Sequence, residues 1–142
     1  MTDTISRSRR SANMAAIRSG DTKPEMIVRR LTHGLGFRFR LHRTDLPGKP
    51  DLVFVARHKI IFVHGCFWHL HPKIKCLDAR MPKSNLDYWR PKLERNVQRD
   101  RENRRALSRL GWKVLVVWDC ETKDVERLRR RLHRFLMSAP PA

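Results

Sequence analysis

Long apolar runs are missing from this chain of 142 residues. The longest uncharged ones, Leu52 to Ala56, Ile60 to Val63 and Val114 to Trp118, fall far short of the ~20 residues that a membrane-spanning helix needs. No membrane partner is expected. Nor do the first residues hold an apolar stretch of ~7–15 residues followed by a small-residue cleavage site; Arg7, Arg9, Arg10 and Arg18 stand there instead. Cysteine is scarce. Three residues, at positions 66, 76 and 120, make a poor disulfide framework and point to a reducing compartment, so the cytoplasm is the expected location. Acidic residues are scarce as well, 14 against 32 Lys plus Arg, which leaves a formal net charge of +18. Such a balance argues against other basic or neutral proteins as partners, whereas a polyphosphate is attracted from a distance. Nucleic acid is the expected ligand, with the protein associated with the nucleoid when bound. Charge alone does not separate an enzyme from a basic structural protein.

Apolar residues make up 40% of the chain, enough for a core in one domain spanning 1–142. Residues 1–10 read as a mobile basic arm and 138–142 as a frayed tail. A short helix is expected around Met14 and Ile17, and a second after Asp21 or Thr22, with Pro24 in its first turn and Ile27, Val28 and Leu31 as its stripe. Phe37 to Leu41 alternates apolar and basic like a strand. Asp51 then opens a strand over Leu52–Ala56, which a tight turn joins to Lys59–Val63; their near-continuous apolar character predicts a buried central hairpin. An irregular stretch, dense in Cys, His, Pro and Trp, runs from His64 to Asn85. A long helix follows to about Leu110, starting between Ser84 and Trp89 because Pro91 belongs near a first turn, with Leu93, Val97, Leu107 and Leu110 inward. Trp112–Trp118 reads as a further core strand. A last helix carries Val125, Leu128, Leu132 and Leu136 at helical spacing. This order predicts an α/β fold, a small mixed β-sheet flanked by helices.

Three constellations carry chemistry. Cys66, His71, Cys76 and Cys120 are the ligand types of a closed structural zinc site, although their spacing lacks the usual Cys-x2-Cys pairs and buried cysteines are common without metal. Asp51 at one strand start and His64 at the end of the neighbouring strand suit a hard divalent cation beside a phosphodiester. His64 and His69 are then candidate bases or phosphate clamps; taken singly, each of the three is equally at home as an ordinary polar residue. Phe67, Trp68 and Trp89, set among basic residues, suit wedging between bases, and core packing accounts for them equally well.

Taken together, His64-Gly65-Cys66-Phe67-Trp68-His69, Asp51 after Leu46-Pro47-Gly48-Lys49-Pro50, the run Arg95 to Asp100, and Gly111-Trp112 through Trp118 resemble the very-short-patch repair (Vsr) endonucleases over nearly the whole chain. The resemblance implies a restriction-endonuclease-like core and a Mg²⁺-dependent nick in one strand of duplex DNA, 5′ to the thymine of a T·G mismatch left by deamination of 5-methylcytosine. It implies Asp51 and the main-chain carbonyl of Val63 as Mg²⁺ ligands, with Val63 lacking the hydroxyl of a threonine. It further implies His69 for water activation, His64 for the phosphate, and Glu25 as another active-site acid. Phe67, Trp68 and Trp89 are implied as intercalating residues, and Cys66, His71, Cys76 and Cys120 as ligands of structural Zn²⁺. Arg7, Arg9, Arg95 and Arg99 are expected on the DNA backbone. The step from His71 to Cys76 is longer than in some relatives, so the loop carries an insertion, and Leu70 stands where some have histidine. A monomer suffices to nick one strand; mismatch-repair factors or a cytosine methyltransferase system are candidate partners. The competing expectations are a less selective nickase or defence nuclease on the same fold, and a zinc-stapled DNA-binding protein without catalysis.

Overall fold

The computed structural model describes residues 22–72, 76 and 85–139. The basic arm with Arg7 and Arg9, the expected helix around Met14 and Ile17, and residues 140–142 lie outside them.

Helix α1 spans Lys23–Gly34. Thr22 caps it, its hydroxyl accepting from the Glu25 N–H at 3.4 Å, and Pro24 falls in the first turn, where no amide donor is needed. Gly36, at φ +94°, turns the chain out of the helix. The alternation from Phe37 to Leu41 survives in the packing, with Phe37 buried and Phe39 edge-on to Phe54 at 5.7 Å. Only Arg40–Leu41 forms a strand, β1, because its partner β2 is just Leu52–Phe54. β2 stops short of the expected Ala56 because Val55–Arg57 winds into a 3₁₀ turn that ends on His58 in the left-handed region, φ 53°.

Strand β3, Lys59–His64, pairs antiparallel with β2, Leu52 opposite Ile61. It pairs parallel with β4, Lys113–Trp118, Val63 opposite Val117. A parallel pair needs a crossover, which α2, Leu86–Arg109, supplies between them. The sheet order β1-β2-β3-β4 leaves β2 and β3 central and buried, as their apolar runs predict. Successive residues serve opposite faces. Leu52, Phe54 and Ile61 join Val28 of α1 and the stripe Leu128, Leu132 and Leu136 of α3, which spans Val125–Met137. Val53, Ile60 and Phe62 meet Leu107 of α2 on the other side. The result is the expected α/β layout, a mixed sheet between helices.

Three inward assignments need correction or adjustment. Leu110 is 60% exposed, because it forms the C-cap of α2 beyond the last turn that packs, and Val97 is only half-buried. Val125, the first residue of α3, is 43% exposed. Pro91 lies in the second turn of α2 and leaves that turn without one backbone donor. Lys59 is an unpredicted feature: fully buried, its Nζ lies 2.7 Å from the Phe135 carbonyl, 3.0 Å from that of Leu136 and 2.5 Å from that of Ser138. A cation thus closes the negative end of α3 and holds Ser138 against the start of β3.

Candidate active site

The C-terminal end of β3 and the start of β2 open into a cleft of about 1680 Å³ between α1 and α2. Asp51 reaches across the hairpin mouth, and its Oδ2 accepts the Val63 N–H at 2.7 Å. Glu25 comes from α1, is 2% exposed, and is bonded by Arg29 one helical turn later. His42, just past β1, completes the group: its Nε2 lies 2.9 Å from both carboxylate oxygens of Glu25, and its N–H donates to the Asp51 carbonyl at 3.1 Å. Burial pushes the Asp51 carboxyl up to about 7, the Val63 N–H opposes that rise, and the facing Glu25 adds to it. Two carboxylates held together so that one resists ionisation form a site that favours a cation. One ligand atom each from Glu25, His42 and Asp51 lies within 4.8 Å of the others. This donor set fits a divalent ion.

The turn after β3 brings the histidines together. His69 N–H bonds the Gly65 carbonyl at 3.1 Å and Leu70 adopts φ 46°, which folds the turn back over the strand end. His64 and His69 stack at 3.8 Å with nearly parallel rings. Burial holds the His64 imidazole down at about 3; neighbouring His69 and Arg104 lower it further, and Asp100 opposes them. His64 is therefore neutral at physiological pH. His69 Nδ1 meets Asp100 Oδ2 at 2.5 Å, an orientation that leaves Nε2 to meet a water or a phosphate and lets the carboxylate stabilise an imidazolium once formed.

Phe67, Trp68 and Trp89 pack edge to face, with centroids 5.1–5.8 Å apart. They are half-buried rather than core, and all but Trp89 line the cleft. Lys92 Nζ sits 5.9 Å from the centroids of both Trp68 and Trp89, and Asn96 donates to the Trp68 carbonyl at 3.0 Å, so α2 props the cluster at the cleft. Arg95 and Arg99 are exposed on the same helix and line the cleft.

Behind the turn, one ligand atom each from Cys66, His71, Cys76 and Cys120 lies within 4.8 Å of the others. Cys120 Sγ is 3.5 Å from His71 Nδ1, and Cys120 N–H points at Cys66 Sγ at 3.4 Å. The long step to Cys76 does not keep it out of the group. Burial pushes the Cys66 thiol up to about 12 and also raises Cys120. Closely packed thiols with an imidazole could hold a metal, which would draw off those protons.

A family model described as DNA mismatch endonuclease Vsr matches residues 2–75. A type II nicking enzyme of Xanthomonas oryzae, V.XorIIP, is 52% identical over 136 residues, covering 96% of this chain and 98% of the relative. V.NmeAIP, a type II nicking enzyme of Neisseria meningitidis, is 42% identical over 96% of this chain and 95% of its own length. The DNA mismatch endonuclease Vsr of Escherichia coli is 40% identical over 90% of this chain and 80% of its own length. The chain belongs to the Vsr family.

As a Vsr-family member the chain is a DNA mismatch or nicking endonuclease. Vsr membership also implies a divalent metal, for which the carboxylate group at Asp51 is chemically suited. The structure brings Asp51, Glu25, His64, His69, Phe67 and Trp68 to one cleft and gathers the four Cys and His residues behind it. At Val63 the observed contact is through the N–H. Sequence reasoning missed His42 and Asp100. Asp100 stood inside the Arg95–Asp100 run, a signal that was available; His42, a single imidazole after a short strand, offered none.

Proposed function

We propose that this Vsr-family chain nicks one strand of duplex DNA 5′ to the thymine of a T·G mismatch, by metal-assisted hydrolysis of the phosphodiester. The observation that carries this reading is the meeting, in one cleft, of the paired carboxylates Glu25 and Asp51, a His–Asp dyad and an aromatic cluster. Asp51, with the Val63 carbonyl, would hold Mg²⁺, which would supply positive charge to offset that of the scissile phosphate and the charge that develops on it. His69, oriented by Asp100, takes the proton of the attacking water, and neutral His64 donates to the phosphate. Glu25 supports Asp51 from α1. Phe67, Trp68 and Trp89 enter the helix beside the mismatch, where unstacking costs less than at a Watson–Crick pair. Arg95 and Arg99, with Arg7 and Arg9 of the arm, neutralise backbone phosphates. Cys66, His71, Cys76 and Cys120 would hold Zn²⁺, which would pin the loop that bears Phe67, Trp68 and His69.

The enzyme works as a monomeric single domain in the cytoplasm, on nucleoid DNA, with mismatch-repair factors or a cytosine methyltransferase system as functional partners. The name of the 52% identical relative, a type II nicking enzyme, favours a second reading in which flanking sequence governs the nick more than the mismatch does. The test of the site is Asp51→Ala. Cleavage of a T·G duplex falls by at least ~10³-fold in single-turnover assays while affinity for that duplex stays within about threefold; undiminished cleavage contradicts the assignment.

A further inference from the structure

We propose that His42 is a further protein ligand of the catalytic cation, through Nε2, and that this imidazole shifts the site from Mg²⁺ toward first-row transition cations such as Mn²⁺. The inference rests on the reading that Asp51 holds the cation. Its basis is placement. Three donors that lie within 4.8 Å of one another can surround one ion at ligand distances of roughly 2.0–2.3 Å. His42 is built for that position and is not merely nearby. The chain leaves β1 through His42 in the left-handed region, φ 46°, a conformation costly for a residue with a Cβ, and the His42 N–H locks onto the Asp51 carbonyl at 3.1 Å. The backbone thereby ties His42 to Asp51 while its ring faces the neighbouring carboxylate of Glu25. Equal 2.9 Å separations from both Glu25 oxygens aim Nε2 at the centre of the carboxylate.

Charge points the same way. Arg29 bonds Glu25 and comes within 3.4 Å of His42 Nε2, so one of the two carboxylates already has a cationic partner. A further neutral donor then completes the coordination of an ion without adding net charge. The tautomer with its proton on Nδ1 presents the Nε2 lone pair to the ion. Mg²⁺ takes oxygen ligands and keeps its water, whereas imidazole nitrogen binds transition cations well.

Mn²⁺ binding by the full chain, followed by its electron paramagnetic resonance, tests this directly, with Mg²⁺ affinity obtained by competition. Wild type, His42→Gln and Asp51→Asn are compared, and His42→Asn replaces the glutamine variant if that fails to fold. Electron spin echo modulation of the bound Mn²⁺ is expected to show a directly coordinated ¹⁴N in wild type that His42→Gln lacks. His42→Gln is also expected to bind Mn²⁺ about tenfold more weakly, with Mg²⁺ affinity changed by less than about twofold. Unchanged ¹⁴N modulation or unchanged Mn²⁺ affinity in His42→Gln overturns the inference. Full Mn²⁺ binding by Asp51→Asn overturns instead the reading on which it rests.

Discussion

Two imidazoles stacked 3.8 Å apart differ in role because one is buried at the strand end and the other keeps a carboxylate partner at the cleft. His69 relies on Asp100 for orientation. Asp100→Asn keeps the shape but removes the charge that steadies an imidazolium, and single-turnover nicking is expected to fall about 10²–10³-fold with duplex affinity preserved. A rate within threefold of wild type would show that the dyad is structural. His64 behaves differently. Its folded-state pKa is depressed from 6.5 to about 3, so the unfolded chain takes up a proton that the folded chain refuses. The stability associated with neutral His64 is thus fully present above pH 6.5 and is lost as pH falls toward 3. Urea unfolding of wild type and His64→Gln at pH 7 and pH 5 measures this. The wild type is expected to lose more stability over that interval, by at most about 1.4 kcal/mol per pH unit for one proton; parallel losses would contradict the burial account.

The elements place these groups. Asp51 meets Val63 because the antiparallel register of β2 on β3 sets the start of one strand against the end of the other. That much was legible in the sequence: apolar runs mark where β2 begins and where β3 runs out, so Asp51 and His64 stand at strand termini on inspection. What stayed hidden are pairings between distant elements, which leave no local period. Glu25 to His42 spans 17 residues, His69 to Asp100 spans 31, and Lys59 to Phe135 spans 76. The early end of β2 was also hidden, because Val55 and Ala56 suit a strand and only the left-handed turn at His58 withdraws them. Lys59 is the instructive case. Its Nζ closes the C-terminus of α3 through the carbonyls of Phe135, Leu136 and Ser138. Lys59→Met keeps the apolar stem but takes the ammonium from the Ser138 carbonyl, while Arg57 still bonds the Leu136 carbonyl and the Ser138 hydroxyl that of Phe135, and a loss of about 1–3 kcal/mol is expected in urea unfolding. A loss below about 0.5 kcal/mol would show that water replaces the ammonium freely.

On the scale of the whole molecule, a sheet backed on both faces by helices leaves one open cleft in which the acidic and imidazole groups, the aromatic cluster and the arginines of α2 converge. The chain carries a net charge of +18, and Lys92, Arg95 and Arg99 of α2 line the cleft opposite the carboxylates of Glu25 and Asp51, so a polyanion is drawn to a cleft whose acidic group suits a cation. The motif runs made this convergence legible, since the His64–His69 run carries histidines of the site, aromatics of the wedge and the first cysteine of the cluster in six adjacent residues. Substrate choice, by contrast, rests in the proposed reading on how a duplex deforms over Phe67, Trp68 and Trp89, and no spacing of residues encodes that energy. In the proposed reading a mismatch directs the nick. This is tested most directly by strand-resolved cleavage of two end-labelled duplexes that differ only in T·G against T·A, each in Mg²⁺ and in excess chelator. Mg²⁺-dependent cutting confined to the thymine strand of the T·G duplex, 5′ to that thymine, is the predicted result; equal cutting of both duplexes would contradict it.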